Sequence, residues 1–310
     1  MGGVNDSRNF ILNCEAWKKF AERLNGSAGV SSSSAANCSS GAENASSAGK
    51  PGTSGAAGKS VGGEAVCGSS LSGISVLPSD IGIAPVTGAV QNIGFENEAD
   101  FYLPYFSAAK KTGVSICVGD GAPDEKLELG LAAVRSLGTK AYFFLKPYPD
   151  EVLFFRIEKV RSSALAIGYD IDAYNIVTMR NQVHLEKKSA EQLERLREKA
   201  ALPLMIKGVF TPEDVELCKK VCPEIAVVSN HGGRVETSCG STADFLAENA
   251  AVLKSCCGEV WVDGGLRTSQ DVKVAKALGA DKILVARSFI SALCRGGESA
   301  MEADIKRLFE

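Results

Sequence analysis

Six consecutive residues, Ser229-Asn230-His231-Gly232-Gly233-Arg234, carry side chains better suited to chemistry than to packing. A histidine gains and loses its proton near neutral pH. Gly232 and Gly233 allow the backbone to turn sharply or to approach a ligand closely. Arg234 can return to the same pocket with a planar fork that fits a carboxylate or a phosphate. The apolar run just before them, Ile225-Ala226-Val227-Val228, reads as a buried strand of a parallel sheet. Taken alone, the stretch also fits a glycine turn bearing a surface arginine, so the elements around it must decide.

From about residue 80 those elements alternate regularly. Strands are expected at Ile81–Pro85, Val114–Val118, Ala141–Leu145, Ala164–Tyr169, Pro203–Ile206, Ile225–Val228, Val260–Val262 and Lys282–Val285. Between them, helical periodicity covers 98–112, 124–137, 150–163, 189–200, 212–221, 242–257, 269–279 and 289–309. Ser189 with Gln192, and Thr211 before Pro212, read as helix starts. Gly113, Gly138, Gly258 and Gly279 read as helix ends. Eight βα units in a row predict an α/β chain folded as a (β/α)₈ TIM barrel, ahead of a doubly wound sheet. Function in a barrel belongs at the carboxyl ends of the strands.

Useful side chains gather at those ends. Strand one is followed by Pro85-Val86-Thr87-Gly88, strand two by Gly119-Asp120-Gly121, strand three by Lys146 and strand four by Asp170-Ile171-Asp172. Lys207-Gly208 follows strand five, Asp263-Gly264-Gly265-Leu266-Arg267 strand seven, and Ala286-Arg287 strand eight. Each could be a turn by itself. Together they place cations after strands five to eight, and barrels hold phosphate after strands seven and eight. A phosphate-bearing cofactor follows from position.

Composition limits the rest. The chain has 310 residues, a net charge of -3 and an apolar share of 45%, with no basic block. A sizeable core is available, and neither a nucleic-acid partner nor a membrane span is expected. The start, Met1-Gly2-Gly3-Val4-Asn5-Asp6, has Asp6 where a myristoylation signal needs Ser or Thr, and no secretory layout, so a cytoplasmic location is expected. The ten cysteines form no Cys-x-x-Cys pair and read as reduced, structural thiols; no metal is expected. Residues 1–24 are expected to hold one helix, with Trp17, Phe20, Ala21 and Leu24 on one face. Residues 25–75, rich in Ser, Gly and Ala, read as a flexible segment or as a lid that orders on binding. The barrel then occupies 76–310.

The runs Lys207-Gly208-Val209, Ser229 to Arg234, Val262 to Arg267 with Asp271-Val272, and Ala277-Leu278-Gly279-Ala280-Asp281 resemble the FMN-dependent α-hydroxy-acid oxidases and dehydrogenases, the glycolate and lactate oxidase group. Within that group the chain is most similar to the shorter bacterial α-hydroxy-acid-oxidising proteins. The resemblance is strong over about 200–300 and continuous from about 80. It implies FMN across the top of the barrel and oxidation of a small 2-hydroxy acid to the 2-oxo acid. His231 would be the base, with a hydride-equivalent passing to flavin N5. Asp170 would pair with the imidazolium, Arg234 would clamp the substrate carboxylate, and Lys207 would lie near flavin N1 and O2. Asp263 would bind ribityl hydroxyls, and Arg267 and Arg287 the phosphate. Pro85, Val86, Thr87, Gly119, Ser229, Gly264, Gly265 and Ala286 would complete the cofactor site. Oxygen or another acceptor would reoxidise the flavin, and a homo-oligomer is carried as an expectation.

The chain also departs from the family. Its first tyrosine is Tyr102, so the amino-terminal substrate tyrosine has no counterpart. Lys146 stands where a second tyrosine is usual, Gly168 where a hydroxyl is usual, and Ala286 where a glycine is usual. Arg180 is the candidate for a second substrate arginine. Two other readings therefore stay open: an FMN-binding barrel with an isomerase or reductase activity, and a degenerate barrel without catalysis.

Overall fold

The structure, a computed structural model, describes residues 8–27, 71–176, 182–235 and 240–310. Eight strands form one parallel sheet: β1 (Ile81–Ile83), β2 (Cys117–Gly119), β3 (Ala141–Leu145), β4 (Ala164–Asp170), β5 (Leu204–Val209), β6 (Ile225–Val228), β7 (Glu259–Val262) and β8 (Lys282–Val285). Neighbours in sequence pair in space, and β1 returns to β8 with Ile81 opposite Ile283. A parallel bridge between Gly82 and Ser115 joins β1 to the residues leading into β2. There Ser115 N–H donates to Ile81 O and Ile83 N–H to Ser115 O, both at 2.9 Å. A Cβ on Gly82 would stand 2.7 Å from Leu284 Cδ2, so the seam needs a glycine. The ring is thus a (β/α)₈ barrel.

Two apolar layers hold it. Ala84, Cys117, Phe144, Ala166, Met205, Val227, Trp261 and Leu284 fill the barrel interior. A larger cluster lies between the strands and the surrounding helices. These are α2 (Ala99–Thr112), α3 (Glu125–Ser136), α4 (Asp150–Val160), α5 (Ala190–Ala200), α6 (Pro212–Val221), α7 (Thr242–Cys256), α8 (Ser269–Ala277) and α9 (Arg287–Lys306), after an amino-terminal α1 (Arg8–Ser27). Strand residues buried on both faces explain why the strands read as continuous apolar runs.

The helix starts read from the sequence form as reciprocal caps. Ser189 Oγ accepts from Gln192 N–H while Gln192 Oε1 accepts from Ser189 N–H, and Thr211 caps α6 in the same way with Asp214. Gly113, Gly138 and Gly279 take left-handed φ at helix ends. Gly258 does not: α7 ends at Cys256, and a Cβ on Gly258 would meet Glu224 O at 2.8 Å, so close approach is its reason. The sequence reading placed Lys207 and Gly208 after strand five, whereas both lie within β5, where the register with β6 shifts between Lys207 and Val209. α9 breaks at Gly296 and Gly297.

The seven cysteines among the described residues are free. No helix among those residues is long and apolar enough to cross a membrane. Arg180 and residues 28–70 of the Ser/Gly/Ala-rich segment lie outside the described residues.

Candidate active site at the carboxyl ends of the strands

β6 delivers a buried Ser229 and Asn230 and then turns abruptly. His231, Gly232 and Gly233 all take left-handed backbone, with φ of 52°, 61° and 85°. For the two glycines this is free of strain; for the histidine it is an uncommon conformation. The turn is held by Gly233 N–H donating to Asn230 O at 2.8 Å and His231 N–H to Ser229 Oγ at 3.2 Å. It carries the imidazole inward, with only 9% of the side chain exposed.

Three residues from two other strand ends meet that ring. His231 Nδ1 lies 2.7 Å from Asp172 Oδ2. His231 Nε2 lies 3.2 Å from Lys146 Nζ and 3.4 Å from Asp170 Oδ2. Lys146 Nζ in turn donates to Asp170 Oδ2 at 2.6 Å. The pairing expected between Asp170 and the imidazole thus differs in detail: Asp172, two residues on, holds Nδ1, and Asp170 sits on the Nε2 side beside Lys146. Gly208 makes this possible, because a Cβ there would come 2.2 Å from Asp172 Oδ1. An antiparallel bridge between Ile176 and Val235 ties the loop carrying Asp172 to the loop carrying Arg234.

Lys207, 2% exposed, completes a charge network across the strands. Its Nζ lies 3.4 Å from Asp170 Oδ1, 3.3 Å from Asp263 Oδ2, and donates to Ser229 Oγ at 3.1 Å. Burial by itself would raise the Asp170 carboxyl, but Lys146, Lys207 and His231 outweigh it and hold it well below the usual carboxylate range. Burial would likewise lower Lys207, but Asp170, Asp263 and Asp172 outweigh it and hold it above the usual lysine range. Asp170, Asp172 and His231 offer three ligand atoms close enough for a cation. The Lys146 ammonium, in contact with both Asp170 and His231, already supplies that positive charge.

Beyond β6, β7 and β8 three arginines converge. Burial pushes Arg287 down to about 10, with the charges of Arg234 and Arg267 adding to the effect. Burial also lowers Arg234, against the pull of Asp263. Arg287 Nη2 donates to Gly232 O at 3.1 Å. Arg234 Nε, Arg287 Nη1, Ser288 Oγ and Asp263 Oδ1 are sealed from solvent without a partner among the described residues. Each unmet buried donor costs about 1–3 kcal/mol, so crowded guanidiniums at the start of α9 fit an anion with several oxygens.

The amino-terminal helix forms where the sequence places one, but its contact with the site was not foreseen. It lies over the ends of β6 to β8. Asn13 Nδ2 donates to Asn230 Oδ1 at 2.9 Å, Asn230 Nδ2 returns a bond to Asn13 Oδ1, and Thr242 N–H also donates to Asn13 Oδ1. Trp17 Nε1 donates to Gly264 O at 2.8 Å. The Phe10 ring lies 3.3 Å from the Arg287 guanidinium carbon and 5.1 Å from that of Arg267. Cβ atoms on Gly264 or Gly265 would strike Asn13 and Cys14, so these glycines make room for α1. The available signal was Asn13 itself: a polar residue on the same helical face as Phe10 and Trp17 needs a buried partner.

The remaining expected residues lie on or after β1, β2, β4 and β8. Pro85, Val86 and Thr87 are half-buried after β1. Gly119 ends β2, and a Cβ there would stand 3.0 Å from Pro85 O and Thr87 Cγ2. Gly168 packs in the barrel against Met205 and Phe144. Ala286 is the residue from which α9 starts. His184 is exposed, in the polar stretch before α5.

Comparison with known proteins bears on the family and the fold. Residues 134–309, more than half of the chain, match the family model described as FMN-dependent dehydrogenase. The chain is 38% identical over 112 residues to 2-hydroxyacid oxidase 2 of Bos taurus, a match covering 36% of the chain and 31% of that protein. It is 40% identical over 115 residues to an L-lactate dehydrogenase of Yersinia pestis (strain Pestoides F), covering 36% and 29%. The chain thus spans about a third of the length of the curated relatives it matches. Among solved structures it is similar to a mandelate oxidase variant with (S)-mandelic acid, at a TM-score of 0.63 and 26% identity, over 76% of this chain and 71% of that one. By the extent of the family match, together with its barrel, this chain belongs to the FMN-dependent dehydrogenase family.

Proposed function

We propose that the chain oxidises a small 2-hydroxy acid to the 2-oxo acid with FMN bound across the carboxyl ends of the strands. The observation that carries this reading is a buried histidine–carboxylate pair beside a crowded arginine cluster with unmet donors. The first suits removal of a hydroxyl proton, and the second suits anions. FMN, when bound, supplies the acceptor for the two electrons that leave the substrate carbon.

The chain's own residues do the rest. Asp172 takes the Nδ1 proton in a hydrogen bond, which leaves the Nε2 lone pair of the neutral ring to accept the hydroxyl proton. The imidazolium that forms then lies between Asp170 and Asp172, both within 3.4 Å of a ring nitrogen. Arg234, from the same turn as His231, is the carboxylate clamp. Arg267 and Arg287, with Ser288 and the first turn of α9, take the phosphate of the cofactor. Asp263 and the buried Lys207 would hold its polar groups, and Pro85 to Thr87 with Gly119 would complete the binding surface. The unpaired Arg234 Nε, Arg287 Nη1 and Asp263 Oδ1 fit such a group, since none has a partner among the described residues.

The test is optical. Purified protein mixed with FMN should show a bound-flavin spectrum, and anaerobic addition of glycolate, lactate or mandelate should bleach it. A bound flavin that stays oxidised with every acid would leave the barrel with another reaction. The absence of any flavin binding would remove the enzymatic reading altogether.

A further inference from the structure

The nitrogen that must accept the substrate proton already has a hydrogen-bond partner in this structure. A carboxylate has no proton to give, so Nδ1 donates to Asp172 and Nε2 is left as an acceptor. The group facing Nε2 is Lys146 Nζ, at 3.2 Å. It is not a passing contact of a mobile side chain. Lys146 is 7% exposed, and its ammonium is also held at 2.6 Å by Asp170. Its backbone N–H donates to Asp120 Oδ2 at 3.1 Å. Asp120, fully buried, is fixed by Arg156 Nη1 at 2.8 Å, and the Arg156 guanidinium stacks on Tyr148 at 4.4 Å. β2, β3, β4 and α4 all contribute to placing one ammonium against one imidazole nitrogen.

We propose that Lys146 is a further catalytic residue: its ammonium caps the base nitrogen of His231 until a substrate hydroxyl displaces it, then donates to that same oxygen. The proposal rests on reading His231 as the base. An oxygen that hydrogen-bonds to Nε2 must enter where Nζ now makes contact, and the Asp170 tether keeps the displaced ammonium beside it. As the O–H bond breaks, its proton moves to Nε2 and the charge left on oxygen meets an N–H of Lys146. The groups around the ring are then Asp172 on Nδ1, Asp170 and Lys146 on Nε2, and Lys207 behind Asp170. The site's positive and negative charges pair throughout, so the cap costs the resting protein little.

The chain contains two histidines, which makes the cap directly measurable. Diethylpyrocarbonate acylates a free imidazole lone pair, and the exposed His184 serves as the internal reference. At about pH 8, where ordinary imidazole is neutral, His231 of the full chain should acylate slowly relative to His184. K146M keeps the side-chain volume and removes the donor. It should speed His231 acylation on the order of tenfold, the factor a charge-assisted hydrogen bond represents. K146R, which retains a cation, should stay protected. An unchanged His231 rate in K146M overturns the cap, because a purely packing role would give that result. This readout needs no turnover, so a protein that oxidises no hydroxy acid would sink the proposed function while the cap is still decided. If hydroxy acids are oxidised, K146M should lower kcat on the order of 10²-fold, as loss of an oxyanion donor does. An unchanged kcat overturns the second half of the role.

Discussion

At the scale of single residues, the turn after β6 carries most of the chemistry. A histidine with φ of 52° sits in backbone that glycine would adopt more readily, and it is held there by Ser229, Asn230 and Asp172. Such strain persists only where the surroundings determine it, and here it points the imidazole at the barrel axis. Replacing His231 by Ala should therefore abolish hydroxy-acid oxidation by a factor on the order of 10²–10⁴. Flavin affinity should change little, which difference spectroscopy can check. Asp172→Asn removes the acceptor that fixes the imidazole tautomer. It should lower kcat on the order of 10²-fold or more while leaving KM nearly unchanged, as expected for a partner that orients a base. A raised KM alone, with kcat intact, would show that Asp172 acts on binding instead.

At the scale of elements, α1 acts as a wall of the site rather than as an appendage. It reaches the barrel through Asn13, which is fully buried and bonds to Asn230, next to His231, and to Thr242 at the start of α7. Asn13→Ala would leave the Thr242 N–H without its partner and the Asn230 amide with only its bonds to Gly240 O and Gly233 N–H. A loss of about 1–3 kcal/mol in unfolding free energy should follow, measurable by urea titration. Because Phe10 of the same helix stacks on Arg287, loosening α1 should also weaken FMN binding, seen as a larger Kd by fluorescence quenching. An Asn13→Ala protein that loses stability but binds FMN unchanged would assign α1 to the fold alone.

At the scale of the whole molecule, the buried charges make stability depend on pH and on ligand. Asp170 is held well below the usual carboxylate value by Lys146, Lys207 and His231. A carboxyl whose folded value is depressed stabilises the protein above its unfolded value, about 4, and loses that contribution as pH falls further. Stability should thus drop steeply below about pH 4, and K146M should flatten the drop by removing the nearest cation. Thermal unfolding followed across that range checks both. Lys207 contributes in the opposite sense: its raised value makes its stabilisation complete below about 10.4 and lost only at more alkaline pH. An anion that relieves the three crowded arginines should bind the folded state alone. FMN at 100 times its Kd should then add about 2.7 kcal/mol, read as a rise in Tm. A protein whose Tm ignores FMN would contradict the cofactor site.

The barrel was legible in the sequence because strand, turn and helix each carry a local signature. Apolar runs of three to seven residues mark strands buried on both faces, and Ser189, Thr211, Gly113 and Gly279 mark helix ends through backbone chemistry that needs no distant partner. The candidate site was legible in part for the same reason: His231, Lys207, Asp170, Asp263 and Arg287 all follow or end apolar runs, and barrel topology alone brings strand ends together. What only the tertiary structure decided is which of these groups touch. That Asp172 rather than Asp170 holds Nδ1 depends on the missing Cβ of Gly208, on a different strand. That Lys146 faces Nε2 depends on Asp120 and Arg156, and that α1 covers the arginines depends on Asn13, Trp17 and Phe10 finding partners at distant strand ends. Local sequence governs backbone propensity within a few residues, whereas pairings between buried side chains are chosen by packing and desolvation across the whole barrel.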